Sequence, residues 1–204
     1  MGSGSVNRFE NWFCSSSLWR RVTRKEILPW LLDGAELGDH VLEIGAGAGA
    51  ATQELRKLSP RVTSLEYSHV LIQTLAYRIQ SANDAIRANA SVVQGDASAL
   101  PFPERTFTTV LAVLMLHHLK SPEAQDRAFA EIHRVLCPGG VFLAVDIPDG
   151  WLHRIAHIRS TFVPIAPATA SSRLSAAGLS NVSITFRSGA FLLRGLRPPR
   201  ANNS

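Results

Sequence analysis

The stretch Val41-Leu42-Glu43-Ile44-Gly45-Ala46-Gly47-Ala48-Gly49 decides the fold that we expect for this chain. Four residues that suit a short strand are followed at once by three glycines at alternate positions, and a helical pattern runs over residues 50–58. Glycine lets the backbone turn tightly and approach a ligand closely. The start of the next helix directs free amide groups and a positive dipole to the same place. The stretch therefore predicts a strand, a ligand-binding loop and a helix.

The same alternation of strand and helix continues along the chain. Apolar runs predict strands at 62–65, 91–93, 108–116 and 141–145, and helical patterns cover 70–79, the segment from 121 to the Pro138-Gly139-Gly140 stop, and 168–177. Two further apolar runs, at 182–186 and 191–193, predict a closing hairpin with its turn near Ser188-Gly189. We expect a parallel sheet covered by helices on both faces, with one antiparallel strand at an edge.

Acidic residues follow the second and third predicted strands, where such a sheet binds its ligand. Glu66 comes 21 residues after Gly45, a spacing at which an acid takes ribose hydroxyls. The turn Gly95-Asp96-Ala97 could accept from an adenine amine and donate to a ring nitrogen. Gly45, Gly47 and Ala50 also satisfy the dinucleotide pattern, so an NAD-binding oxidoreductase and another adenosine binder are both open at this point.

Taken in order, these segments resemble class I S-adenosylmethionine-dependent methyltransferases, and in particular the small single-domain type of ubiquinone and menaquinone biosynthesis. The stretch 41–49 resembles the family's first motif. Glu66, the segment 95–102, Leu116-His117-His118-Leu119 and the segment 134–140 follow in the family's order and approximate spacing. The resemblance covers residues 38–147, and its Asp96 segment, which a nicotinamide enzyme does not require, favours a methyltransferase over a dehydrogenase.

The resemblance implies an α/β fold that is Rossmann-like and doubly wound: a mostly parallel seven-stranded sheet with an antiparallel C-terminal hairpin strand and helices on both faces. It also implies S-adenosylmethionine as the cofactor and methyl transfer to an acceptor. Glu43 would hold the methionine ammonium, directly or through water, and Glu66 would take both ribose hydroxyls. The other implied cofactor contacts are Gly45, Ala46, Gly47 and Gly49 against methionine and ribose, Tyr67 beside the adenine, Asp96 and Ala97 at the adenine edge, and Val113 and Leu114 at the ammonium.

Methyl transfer from a sulfonium depends mainly on alignment and exclusion of water, and it needs a general base only for a weak nucleophile. His117, His118 and Asp146 are the candidates for a base or a substrate contact, and the alternative for the two histidines is support of the turn after the fourth strand. His153 and His157 could share a helix face, but no third ligand is evident, so we expect no metal site.

Composition limits the function further. The chain has 204 residues with 46% hydrophobic content, which suits a single globular domain, and its longest apolar run, 110–116, is too short to span a membrane. Only two cysteines and no recognisable signal peptide predict a reducing cytoplasm. The net charge of +5 could favour binding of an anionic partner such as a nucleic acid, or it could reflect a solvated basic surface. Without the usual DNA methyltransferase tetrad after the fourth strand, we favour a small-molecule acceptor.

We expect an N-terminal helical lid or extension at 1–37, a methyltransferase domain at 38–197 and a frayed tail at 198–204. Three tryptophans, Trp12, Trp19 and Trp30, suggest that the first segment closes on the cofactor and an apolar acceptor, although they could equally dock it on the core. A non-catalytic cofactor-binding protein of the same fold is the alternative function. The acceptor, the methylated atom and the oligomeric state are not determined by the sequence.

Overall fold

The computed structural model of the chain describes residues 8–81, 89–156, 158 and 160–200. Its strands form one sheet in the order β3-β2-β1-β4-β5-β7-β6. Pairing is parallel from β3 through β5, and β7 runs antiparallel to both of its neighbours. The strands are β1 (Val41–Ile44), β2 (Val62–Glu66), β3 (Ala90–Gln94), β4 (Phe107–Val113), β5 (Leu136–Asp146), β6 (Ser180–Arg187) and β7 (Ala190–Leu196).

Helices cover both faces of this sheet, as the sequence predicts. A π-helical turn, Thr23–Ile27, joins α2 to α3, and a short 3-10 turn, Leu116–His118, follows β4. The helices in the described ranges are α1 (Arg8–Ser15), α2 (Ser17–Val22), α3 (Leu28–Leu31), α4 (Thr52–Leu58), α5 (His69–Gln80), α6 (Pro122–Val135), α7 (Trp151–Ala156) and α8 (Pro167–Ala176). The predicted doubly wound α/β fold is confirmed.

The C-terminal hairpin enters the sheet differently from the expectation. Ser188 and Gly189 have φ values of 49° and 79°, so the predicted turn is confirmed with the backbone that a tight hairpin prefers. The prediction that the antiparallel strand lies at the edge of the sheet is wrong, because β7 is antiparallel to its neighbours and lies between them. The chain returns so that β7 pairs with β5, and β6 becomes the edge strand.

Two predicted boundaries also move. The strand predicted over 108–116 ends at Val113, because Leu114 adopts a φ of 49° and the chain turns. The apolar run continues beyond the strand because Leu116 is buried in the core. Helix α6 ends at Val135, before Pro138-Gly139-Gly140, because Leu136 is already extended and pairs with Phe107 of β4.

The core lies in two layers on either face of the sheet. Leu42 and Ile44 of β1 face one layer with α6 and α8, and Val41 faces the other layer with α3 and α4. Helix α6 begins where expected, since Ser121 accepts a hydrogen bond from Ala124 N at 3.2 Å and Pro122 occupies the first turn. Among the described residues, no helix is long and apolar enough to cross a membrane. The alternation of strands and helices brings the loops after β1 to β5 to one edge of the sheet.

Candidate functional site

A cavity of about 740 Å³ lies at the carboxyl ends of β1 to β4, where the strand order reverses between β1 and β4. It is lined by these predicted cofactor residues: Glu43, Gly45, Ala46, Gly47, Glu66, Tyr67, Asp96, Ala97, Val113 and Leu114. Gly49 does not line it. A Cβ on Gly49 would come within 2.5 Å of Leu75 Cδ1, so this glycine allows close packing of α5 behind the loop. The structure therefore brings together most of a site that is scattered along the sequence.

The loop after β1 is held by the acid after β2. Glu66 is 7% exposed, and its Oε2 accepts a hydrogen bond from Gly47 N while its Oε1 accepts one from Ser68 N, both at 2.8 Å. Burial raises the pKa of Glu66, and the backbone donors oppose that rise. Glu66 thus fixes the shape of the glycine loop as well as lying where a ribose would bind.

Gly45 and Gly47 both adopt positive φ values, 71° and 55°, but their surroundings differ. A Cβ on Gly45 would lie 2.6 Å from Met115 Cβ, so the loop packs directly on the turn after β4. A Cβ on Gly47 would meet nothing within 4 Å. The space beside Gly47 is open, as a loop that receives a ligand requires.

Glu43 is a buried carboxyl in the floor of the cavity. It is 2% exposed, and the Thr52 and Ser64 hydroxyls donate to its Oε2 at 2.5 and 2.9 Å. Burial raises the pKa of Glu43 to about 7, because the desolvation cost outweighs these hydrogen bonds. A nearby ammonium group would favour the ionised form. Thr52 and Ser64 are supporting residues that the sequence analysis missed.

Asp96 follows β3, the strand at the edge of the parallel part of the sheet. Its Oδ1 accepts hydrogen bonds from both Ser98 N and Ser98 Oγ at 2.8 Å, which fixes the side chain at the cavity wall. Asp96 is exposed and its neighbour Ala97 is 5% exposed. Tyr67, after β2, is 42% exposed and also lines the cavity. The residues expected at an adenine edge and the ring expected beside it therefore line one cavity.

The turn after β4 has an unusual backbone. Leu114 has a φ of 49°, in the left-handed region that branched side chains seldom enter, and its N–H donates to Val145 O at 2.8 Å. Such conformations occur preferentially at ligand sites. Val113 and Leu114 line the cavity.

The candidate base residues separate into two groups. His117 and His118 line the cavity, whereas Asp146 is fully buried behind them and does not. Asp146 Oδ1 lies 2.5 Å from His117 Nδ1 and accepts from Ile147 N at 2.7 Å, and its Oδ2 accepts from His117 N at 3.3 Å. His118 Nδ1 donates to Thr161 O at 3.0 Å. The structure therefore places Asp146 as a support of His117 rather than as a contact for a substrate.

The N-terminal helices supply a wall of the cavity. Phe13, Cys14, Trp19 and Thr23 line it, and the rings of Phe13 and Trp19 lie 5.4 Å apart. Trp30 packs on the core, and Trp12 is 66% exposed. Trp19 therefore lines the cavity and Trp30 docks on the core, and closure of the segment on a ligand stays a prediction. Trp19 is one of the tryptophans predicted for the lid, whereas no motif in the sequence marks Cys14 or Thr23.

Within the described part of the chain, no cluster of three His, Cys, Asp or Glu side chains could hold a metal ion. His153 Nδ1 donates to Pro148 O at 2.9 Å. His157, the other half of the histidine pair noted in the sequence, lies outside the described residues.

The sheet order, the glycine loop and the acids at the ends of β2 and β3 together define the class I methyltransferase fold. Comparison with known proteins agrees with this. The profile of the family Methyltransf_11, described as a methyltransferase domain, matches residues 42–144, and the chain belongs to this family.

Two relatives of this chain are named for methylation of different substrates. A sterol 24-C-methyltransferase of Eremothecium gossypii is 30% identical over 142 residues, covering 69% of this chain and 37% of the relative. A demethylmenaquinone methyltransferase of Thermobifida fusca is 32% identical over 122 residues, covering 60% of this chain and 47% of the relative. The chain thus matches less than half the length of either protein.

Solved structures show the same fold at low sequence identity. The PH0226 protein of Pyrococcus horikoshii matches with a TM-score of 0.78 and 16% identity, over 95% of this chain and all of that one. The glycopeptide N-methyltransferase MtfA complexed with S-adenosylmethionine matches with a TM-score of 0.64 and 22% identity, over 78% of this chain and 81% of that one.

Proposed function

We propose that the protein transfers a methyl group from S-adenosylmethionine to a small-molecule acceptor by in-line displacement. The observation that carries this proposal is the convergence of Glu43, the Gly47–Glu66 hydrogen bond and Asp96 on one cavity in a chain of the methyltransferase domain family. Glu43 lies next to the last residue of β1, Glu66 is the last residue of β2, and Asp96 follows β3, so the three can contact one extended ligand at successive points.

The cavity offers suitable residues for three parts of S-adenosylmethionine: its methionine, its ribose and its adenine. Glu43 faces the methionine ammonium, Glu66 takes the ribose hydroxyls, and Asp96 with Ala97 reads the adenine edge beside Tyr67. The open space at Gly47 supports this assignment, since a side chain there would occupy the path of the ligand. The backbone at Val113 and Leu114 closes the methionine end.

When bound, the cofactor supplies a methyl group attached to a sulfonium. Once the methyl group is transferred, the rest of the cofactor leaves as a neutral thioether. The chain's own task is then to align the acceptor with that methyl group and to keep water away. Phe13 and Trp19 exclude water from above, and the turn after β4 fixes the floor. His117, which is held by Asp146, and His118 are the candidates to take a proton from an acceptor that needs a base.

The acceptor in this proposal is a small molecule with an apolar body. The aromatic wall favours such a body, and the matched relatives are named for sterol and menaquinone methylation. A nucleic acid is a weaker candidate, since the basic residues contribute no more than Lys120 and Arg127 to the described lining. We place the protein in the cytoplasm, a proposal supported by its low cysteine content.

The test is turnover of S-adenosylmethionine. The purified chain is incubated with the cofactor and with pooled quinol, sterol and phenol acceptors, and S-adenosylhomocysteine is measured. We expect product that depends on an acceptor. Cofactor binding without product from any fraction of a cell extract would favour the non-catalytic alternative, and binding of NADH would favour the dehydrogenase.

A further inference from the structure

Arg78, on α5, joins the N-terminal helices to the glycine loop. Its Nη1 donates to Ala48 O in the loop at 2.5 Å, and its Nη2 donates to Ser15 O, at the end of α1, at 3.1 Å. One half-buried guanidinium thus connects three parts of the molecule that are distant in sequence. None of the motifs in the chain includes this residue.

A second arginine reaches the same carbonyl. Arg20 Nη1 donates to Ser15 O at 2.9 Å. Burial lowers the pKa of Arg78, and the like charge of Arg20 lowers it further. In the part of the chain that the structure describes, no carboxylate lies within 4 Å of either guanidinium. Two cations that share one carbonyl repel each other, and such local conflicts occur preferentially where function requires them.

The carbonyl that they share lies at the junction of α1 and α2. Ser16 is extended there, and its side chain accepts a hydrogen bond from Trp19 N at 3.0 Å, which starts α2. Phe13 lies before the junction and Trp19 after it, and both line the cavity. The position of this aromatic wall therefore depends on where Ser15 is held.

We infer that Arg78 is a positioning residue that holds the aromatic wall of Phe13 and Trp19 against the glycine loop, so that closure of the wall and binding of a ligand by the loop favour each other. The identity of that ligand rests on the proposed function. Coupling of this kind is reciprocal, because a ligand that stabilises the closed wall is itself bound more tightly when the wall closes.

Limited trypsin digestion tests the inference on the full chain, because the segment that should move contains Arg20, Arg21, Arg24 and Lys25. Cleavage rates at these sites are measured by mass spectrometry with and without S-adenosylhomocysteine. The variants are Arg78→Met, which removes the donors and keeps an unbranched side chain, and Arg78→Lys, which keeps the charge but replaces the two separate donor nitrogens by one. Arg61→Met, an exposed arginine before β2, is the control.

In the wild type and in Arg61→Met we expect S-adenosylhomocysteine to slow cleavage about tenfold, a coupling of ordinary size. In Arg78→Met we expect faster cleavage without ligand and little slowing with it, and Arg78→Lys should lie between. Equal cleavage of the wild type and Arg78→Met would overturn the inference. So would faster cleavage of Arg78→Met with an unchanged ratio between the two conditions, since a merely structural contact would give that result.

Calorimetric titration of the same samples separates this inference from the proposed function. If the wild type binds no S-adenosylhomocysteine, the proposed function fails. The ligand-free cleavage rates can then still overturn the inference, since equal rates in the wild type and Arg78→Met would show that Arg78 does not hold the wall.

Discussion

Gly47 and Gly45 show at the scale of single residues how one loop serves both a ligand and the fold. We predict that Gly47→Arg abolishes binding of S-adenosylhomocysteine, because its side chain would enter the open cavity, and lowers the midpoint of thermal unfolding only modestly, through the strain of a side chain at a φ of 55°. Gly45→Ala should lower the unfolding midpoint further, since its φ is also positive and its Cβ would collide with Met115. Calorimetry and a thermal melt on both variants check this, and retained affinity in Gly47→Arg would contradict the assignment of the loop.

Glu66 holds the glycine loop and is the proposed partner of the ribose, so we expect its substitution to lower the affinity for the cofactor strongly. Glu66→Ala removes the acceptor for Gly47 N and Ser68 N and the proposed ribose contacts. We predict an affinity for S-adenosylhomocysteine lower by roughly ten- to a hundredfold, the effect of losing charged hydrogen bonds. Glu54→Ala, which removes an acid paired with Lys57 on the surface of α4, should leave the affinity unchanged. A neutral result for Glu66→Ala would remove the ribose assignment.

Glu43 gives the site a dependence on pH. Its pKa of about 7 means that the free protein carries a protonated Glu43 below pH 7 and an ionised one above. If the ionised form holds the ammonium, the affinity for S-adenosylhomocysteine should rise from pH 6 to pH 8, by up to about tenfold per unit below the pKa. Calorimetry over this range should show the rise in the wild type and a flatter profile in Glu43→Gln. The burial of Glu66 acts in the same direction, so the variant is needed for the assignment.

The same group should affect the stability of the ligand-free protein in the opposite direction. A carboxyl whose pKa is raised on folding contributes stability that is fully present below pH 4.5, its ordinary value, and is lost as pH rises through about 7. Chemical denaturation of the ligand-free wild type should therefore become easier over this interval, and Glu43→Gln should remove part of that change. An identical pH profile in the variant would contradict a raised pKa of Glu43 in the folded protein.

At the scale of elements, the pair His117 and Asp146 joins the turn after β4 to the end of β5. Asp146→Ala would leave the buried His117 side chain without its partner and the donors His117 N and Ile147 N without their acceptor, so we predict a loss of about 3 kcal/mol in the free energy of unfolding. Asp149→Ala, which breaks an exposed ion pair with Arg154, should cost less than about 1 kcal/mol. Denaturation by urea measures both, and a small effect of Asp146→Ala would contradict a supporting role.

The sequence predicts the elements better than their ends, and the reasons are physical. The run 110–116 is apolar throughout because the turn that follows β4 is itself packed in the core, so hydrophobicity does not mark where the strand stops. The start of β5 at Leu136 depends on its pairing with Phe107, a contact distant in sequence. The position of β7 between β5 and β6 likewise depends on which neighbour a strand pairs with, which no local pattern records.

At the scale of the whole molecule, the site was predictable where the backbone motif fixes it and not where tertiary packing does. Glu43, Gly47, Glu66 and Asp96 follow from their places at strand ends, and the structure brings them to one cavity. The hydroxyl groups of Thr52 and Ser64 that donate to Glu43, and the contacts of Arg78, were not predicted, because single serines, threonines and arginines form no sequence pattern. Asp146 was noted because it follows β5, but only the structure shows that it lies behind His117.

Binding of S-adenosylmethionine in this cavity is tested most directly by titrating the purified chain with S-adenosylhomocysteine in a calorimeter, with NADH as a parallel control. We expect micromolar binding of S-adenosylhomocysteine, about −8 kcal/mol, and no binding of NADH. Binding of NADH alone, or of neither compound, would contradict the assignment of the cavity.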